Sequence, residues 1–481
     1  MKPKLSVLNS EELDAIYASA LFLLKNVGVS IEDDDIVRLL VDGGCTVDEN
    51  RIVCFPEWLV KDCVKSTPTE ITLCGRDSAH DMTVGRQRYP YVIPIVAINY
   101  FDCLSNTYRV VTKDDVRRFV TLCDYLDSVD GVWMLTMMPE FKEMYMFCDF
   151  VMGIRNTTKP ISIITAEPRS VEPTYELATY LAGGQEEMRK RPLLVINYCS
   201  ISPLAWNKQE CEMLKATARW GIQPAISTEA PTGYTGPITL AGNIAQKMAE
   251  FLSGDVILQL LNKGMPVIWC ALHETFDLKT ASVTFSSHAD FVQSCAIGQL
   301  EKYIGIPTLS SVVPDSKLLD AQLGFELAYS LLTQMLGGSN LLVTHGLDSA
   351  NAFSDESLLL LDDMVISARR ILDGIDVSPD TLAQDIIAQV CSTVDGGRRV
   401  GHFVDKRHTL DWYEREHRPR RDSVVEKHTR QRWMQLGSKS FIDRAHERVE
   451  DILRSHRPEP LSRDIELKIE EIQKKYGIEG L

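Results

Sequence analysis

Eight short apolar, β-rich runs recur through the middle of the chain, each followed by a longer helical stretch, and few folds accommodate that rhythm. The runs are 91–98 (YVIPIVAI), 131–138 (GVWMLTMM), 160–166 (PISIITA), 192–198 (PLLVINY), 222–228 (IQPAIST), 266–272 (PVIWCAL), 307–313 (PTLSSVV) and 340–346 (NLLVTHG). Helix-like segments lie near 113–127, 140–156, 171–185, 207–220, 238–263, 287–304, 319–337 and 354–373. Near-continuous apolar strands indicate burial on both faces, as in a parallel sheet. Strict alternation of strand and helix is the α/β signature. Eight units predict closure into a TIM-type (β/α)₈ barrel. An open doubly wound sheet is the alternative. It normally brings a G-x-G-x-x-G loop after its first strand, and none follows 91–98.

The expected division is an N-terminal helical region with a turn-rich unit over 1–90, the barrel over 91–374, and a C-terminal helical extension over 375–481. In the first, Leu13, Ile16, Ala20 and Leu24 follow helical spacing. Within INYFDCLSNTYRVV a hairpin is expected to turn near Ser105-Asn106. The charged segment KRHTLDWYEREHRPRRDSVVEKHTRQRW reads as a solvated helical extension, or as the surface of a homo-oligomer or other partner.

Composition removes several function classes. The net charge of −16 argues against nucleic acid, which needs clustered Lys and Arg, and against an anionic membrane surface. No apolar run reaches the roughly 20 residues of a membrane-spanning helix. Glu11, Glu12 and Asp14 interrupt the place where a signal peptide would be apolar, so a cytoplasmic protein is expected. The twelve cysteines form no C-x-x-C pair and sit mostly in apolar runs, as reduced buried thiols do.

In a barrel of this kind, chemistry sits at the carboxyl ends of the strands. The run ends and adjoining loops supply Tyr100, Tyr198, Trp206, Phe276 and Phe353, with Tyr91 added as a further aromatic. They also supply Glu229, Asp315 and His345. Many aromatics, several carboxylates and little positive charge suit a cationic, apolar ligand. A quaternary ammonium has no N–H and is held by aromatic faces and nearby negative charge, each contact contributing roughly 0.5–2 kcal/mol. His345, followed by Gly346, is a candidate for orienting the substrate or an active-site water. Cys199, Cys270, His273 and His345 could ligate zinc but lack a recognised spacing, so no metal is expected. There is no G-x-S-x-G elbow. The glycines of GYTGPITLAGN (233–243) read as loop geometry rather than a phosphate cradle.

Several segments resemble the trimethylamine methyltransferase family: LKNVGVSIEDDDIVRLLVDGGCTVDENRIVCFP, TGYTGPITLAGNIAQKMAEFLSGDVILQLLNKGMPVIW, the stretch from GIPTLSSVVPDSK to ESLLLLDDM, GHFVDKRHT and RWMQLGSKSFIDRA. The resemblance spans nearly the full chain. It implies methyl transfer from an amine to the Co(I) state of a cognate corrinoid-binding protein. The corrinoid (cobalamin) is then presented by that partner, with no cofactor held tightly by this chain. The sequence contains no pyrrolysine and is similar to the branch acting on quaternary amines such as glycine betaine, proline betaine and carnitine. The same resemblance carries site roles to His345 and Phe353. A betaine carboxylate would suit an arginine fork, and SSVVPDSK offers only Lys317. A methyltetrahydrofolate-type corrinoid methyltransferase and a non-catalytic betaine-binding protein are the alternatives.

Overall fold

The eight runs close on themselves. In a computed structural model, which describes residues 3–85, 87–142, 144–164, 167–344, 346–417, 422–479 and 481, the barrel strands are β1 (Tyr91–Val96), β2 (Val132–Met134), β3 (Ile161–Ile164), β4 (Val195–Cys199), β5 (Gln223–Thr228), β6 (Ile268–Ala271), β7 (Thr308–Val312) and β8 (Leu341–Thr344). Each pairs in parallel with the next, and β8 pairs with β1 through Leu342↔Val92 and Val343↔Ile93 to complete the ring. The expected TIM-type barrel is the fold.

Eight helices surround it: α1 (Lys113–Tyr125), α2 (Tyr145–Asn156), α3 (Pro168–Ala182), α4 (Lys208–Trp220), α5 (Leu240–Leu261), α6 (His288–Ile304), α7 (Ala321–Gly337) and α8 (Asp355–Asp373). Their starts follow capping chemistry. Thr112 and Asp115 form a reciprocal capping box on α1, and Ser287 and Asp290 form another on α6. Some strands are shorter than the apolar runs. β2 stops at Met134, and Met137 a little further on adopts a left-handed backbone with φ +44°.

α5 is buried around nearly its whole circumference, from Asn243 to Gln259. Helices Ser10–Asn26, Asp34–Asp42 and Glu57–Ser66 cover the side that faces away from the barrel. That explains a helix without a polar face. The N-terminal region also reaches the mouth, where strand Val29–Ile31 pairs in parallel with Ala205–Trp206 in the loop after β4. The expected hairpin forms from Asn99–Asp102 and Thr107–Val110, and a short strand, Ala352–Phe353, adds alongside Asn99–Tyr100. At the amino-terminal end of the barrel, Met82 of the hairpin Ile71–Leu73/Met82–Val84 lies against Gly131, so this end is plugged. The C-terminal helices Phe441–Ser455 and Arg463–Tyr476 pack on the outer layer. No helix is long and apolar enough to cross a membrane among the described residues.

One buried cation ties α1 to the barrel floor. Lys159 Nζ donates to the carbonyls of Cys123, Leu126 and Val129 at 2.8, 2.8 and 2.7 Å. It gathers carbonyls at a helix C-terminus, where positive charge is favoured. Replacing Lys159 by Met removes this donor from the Cys123 and Val129 carbonyls, while Leu126 keeps the Val129 N–H. The expected loss is about 3 kcal/mol of unfolding free energy, measured by chemical denaturation.

Candidate active site at the barrel mouth

Which side chains point into the barrel follows from those that touch the helices. The Tyr198 hydroxyl lies 3.0 Å from that of Thr217 on α4, so Tyr198 faces outward and its neighbours Asn197 and Cys199 face in. Ile226 meets Gly254 of α5, which turns Ser227 inward. Ser227 donates to Asn197 Oδ1 at 2.9 Å. Trp269 stacks on Phe251 of α5, so Cys270 faces the axis. Ile161 packs on Gly153 of α2, so Ser162 points in, together with its register partner Trp133. The interior therefore has a polar arc from β2 to β6. The opposite arc, through Ile93, Leu309, Leu341 and Val343, is apolar apart from Ser311. Trp133 Nε1 and Ser162 Oγ are buried with no partner among the described residues.

Glu229 stands above this arc. It directly follows β5, two residues beyond Ser227, and so has the same inward parity. Its side chain keeps an exposed face, yet protein crowds it enough that desolvation raises its carboxyl pKa. The two observations together describe a carboxylate deep in an open mouth. The Cys199 thiol donates to Glu229 Oε1 at 3.3 Å. Burial, then the Glu229 charge, pushes that thiol well above its ordinary range, so it stays protonated as the donor. The cation whose field reaches Glu229, Lys247, is committed elsewhere. It donates to the Leu272 carbonyl and lies 3.1 Å from Glu274 Oε2. Glu274 is pushed up to about 7, chiefly by burial. Beside it the His273 imidazole is pushed down to about 3, chiefly by burial, and is neutral at pH 7.

The loops around the mouth are stitched by carboxylates. Glu250 of α5 accepts from the hydroxyls of Ser200 and Ser202, the Leu204 N–H and Gln246 Nε2, which fixes the loop after β4. Asp315 accepts from the Phe285 and Ser286 N–H groups and from the Ser349 hydroxyl, joining the loops after β6, β7 and β8. Glu326 of α7 accepts the N–H groups of Asp315 and Ser316.

The structure separates most of the residues expected to gather here. Tyr91 lies at the amino end of β1, where its hydroxyl accepts from the Thr83 N–H, far from the mouth. Tyr198 faces α4, and Trp206 is buried with Nε1 donating to Ser253 of α5 at 2.9 Å. Tyr100 and Phe353 pack edge to face at 5.4 Å in the accessory sheet. Phe353 also meets Phe119 of α1, and Arg109 covers the Tyr100 ring. These five are packing residues: Tyr91 shares the inward parity of Leu341 but sits at the amino end, Tyr198 is turned to α4 by strand parity, Trp206 is held against α5 from its loop, and Tyr100 and Phe353 are turned from the axis by the added sheet. Asp315 is a loop clamp, its lone pairs taken by protein donors. Phe276 does lie at the rim, stacked on the exposed Tyr234 at 4.9 Å. Glu229 is inside the mouth. His345 lies outside the described residues.

Sequence reading did not single out Trp133, Ser162 and Ser227 as interior polar groups, nor Cys199 as the donor to Glu229. Parity counted back from Glu229 through Ser227 was the available signal. No three His, Cys, Asp or Glu side chains are grouped to hold a metal ion among the described residues.

The family model "Trimethylamine methyltransferase (MTTB)" matches residues 1–477. A trimethylamine methyltransferase of Desulfitobacterium hafniense is 28% identical over 98% of this chain and 95% of its own length. A glycine betaine methyltransferase of the same species is 26% identical over 99% of this chain and 98% of its own length. Among solved structures, the Methanosarcina barkeri monomethylamine methyltransferase superposes with a TM-score of 0.50 at 13% identity, covering 97% of this chain and 93% of that one. The likeness at that identity is one of fold.

Replacing Asp315 by Ala removes the acceptor shared by three mouth loops. Backbone amides at 285–286 and 349–353 are expected to exchange with deuterium at least tenfold faster, about 1.4 kcal/mol of local stability. The barrel strands should keep their protection, as read by hydrogen-exchange mass spectrometry.

Proposed function

The chain belongs to the trimethylamine methyltransferase family, and from that membership we propose that it moves a methyl group from a quaternary amine of betaine or carnitine type to the Co(I) centre of a partner's corrinoid. The observation that carries this reading is Glu229. An inward carboxylate, desolvated, with Lys247 already paired to Glu274, is best stabilised by a ligand bearing a permanent positive charge. A quaternary ammonium is such a ligand.

The chemistry needs no acid at the leaving group. A quaternary amine departs as a neutral tertiary amine. The electron pair of the breaking N–C bond stays on nitrogen, the methyl carbon passes to cobalt, and no proton moves in that step. The chain's tasks are then to bind the cation, align its methyl group outward and exclude water. Glu229 supplies the counter-charge. The protonated Cys199 thiol holds one of its oxygens in place. Leu135, Ile164 and Leu272 continue the inward register of Trp133, Ser162 and Cys270, and offer apolar surface to the N-methyl groups. A substrate carboxylate finds no arginine in the 310–317 loop. The amide of Asn197 is a neutral donor on the inward face.

Support for a partner that closes the mouth comes from the rim. Met137, Ile201, Tyr234, Ile238 and Leu278, in the loops after β2, β4, β5 and β6, are all exposed. Exposed apolar residues spread around one opening suit a second protein that caps it. The 26% identical glycine betaine methyltransferase is consistent with the substrate class.

The test is direct. Purified protein, Co(I) cobalamin and a panel containing glycine betaine, proline betaine, carnitine and trimethylamine are expected to yield methylcobalamin with a quaternary member. Turnover with trimethylamine or methyltetrahydrofolate alone overturns the reading. Replacing Glu229 by Gln removes the charge at constant shape, and kcat/KM should fall about 10- to 100-fold, or about 1.4–2.7 kcal/mol. Protonation of Glu229 has the same sign as this substitution. Because its pKa is raised, activity should fall on the acid side from a pH above the ordinary carboxyl value of 4.5. The Gln variant should lack that acid limb.

A further inference from the structure

α8 runs from the mouth to the barrel floor. Its last residue, Asp373, accepts from Arg88 at 2.7 Å beside the start of β1. From Gly374 the chain leaves the body and returns at Glu416, where Arg370 donates to the Glu416 carboxylate at 2.6 Å and to its carbonyl. Between these points lie a helix Gln384–Cys391, a ribbon pairing Val394–Asp395 with Arg398–Arg399, and a helix Arg407–Glu416. The excursion folds on itself at one place, where Val390 is buried under Gly401. Most of its other apolar side chains are uncovered. Ten large apolar residues between Ile375 and Tyr413 are more than 40% exposed, with Ile375 at 86%, Val404 at 78% and Leu410 at 66%. Helix Arg407–Glu416 buries none of its side chains.

An ordered arm of this composition needs a cover, because helices this short are not stable without packing and monomers rarely expose such a surface. We propose that the cover is a second copy of this chain, and that residues 375–416 are the clasp of a reciprocal dimer. Two observations favour that occupant. The first is area. Ten such side chains, each more than 40% exposed, present on the order of 800–1,000 Å² of apolar surface, which is one partner's share of a stable interface. The second is that the receiving surface belongs to the same chain. A groove of about 270 Å³ between α7 and α8, lined by Leu332, Met364, Ile371 and Val425, opens next to the base of the arm. An arm and a groove on one chain are what a two-fold, self-complementary contact requires. The arm springs from the floor, so a protein seated on the mouth does not cover it. The clasp is independent of the proposed reaction.

Sedimentation of the full chain between about 0.1 and 50 µM tests the clasp. The expected mass at the upper end is twice 54.1 kDa or a multiple of that dimer. Ile387→Asp and Leu410→Asp, each on an exposed position, should shift the mass toward 54.1 kDa with an unchanged circular dichroism spectrum. In the unmodified protein, amides of 384–391 and 407–416 should be protected from hydrogen exchange at 50 µM and lose that protection on dilution. The exchange measurement stands even where a variant fails to fold. A monomer at every concentration, an assembly that survives both substitutions, or protection that does not change with dilution overturns the proposal.

Discussion

In a closed parallel barrel a residue and its register partners on the flanking strands point the same way, so one side chain seen touching a surrounding helix fixes the face of its whole ring. Every statement about the interior of this protein rests on that constraint. Tyr198 against Thr217, Ile226 against Gly254, Trp269 against Phe251 and Ile161 against Gly153 are four independent contacts with helices. They assign the same parity through the ladder from β2 to β6. The polar arc and the placement of Glu229 above it are therefore consequences of barrel closure.

A polar arc inside a barrel is costly unless its groups are paired. Much of it is paired. Ser227 meets Asn197, and Cys199 meets Glu229. Behind it the all-round burial of α5 brings Lys247 to Glu274 and Glu250 to four donors. The N-terminal helices make this possible, because they exclude water from the outer side of α5 and its charged residues must find partners within the protein. Trp133 Nε1 and Ser162 Oγ, which have no partner among the described residues, lie on the axis side below the exposed face of Glu229.

The barrel was legible in the sequence because β/α alternation is a signal of many residues, and each run or helix could shift by several positions without altering the count. The site was less legible because it depends on parity, which a shift of one residue reverses. Tyr198 ends an apolar run and looks like a mouth residue, yet it faces α4, whereas Asn197 beside it faces in. Tyr100 and Phe353 also follow strands, but the accessory sheet they build turns both rings toward α1. Nothing local in the sequence announces a short strand at Ala352–Phe353. Glu229 was found because it is a carboxylate immediately after a strand. Its thiol partner was not, since Cys199 and Glu229 meet only through β4–β5 pairing.

The two ends of the barrel answer to different constraints, and the sequence segregates them. The amino-terminal end is plugged by Met82 and pinned by Lys159, whose three carbonyl bonds leave it no capacity for a ligand. The carboxyl-terminal end is held open by carboxylates that bind loops to one another, Asp315 and Glu250 chief among them. A carboxylate used in this way accepts neutral N–H and O–H donors and keeps its negative charge. A mouth stitched by such clamps is therefore electronegative before any ligand arrives. That field favours a cation and opposes an anion at every step of entry.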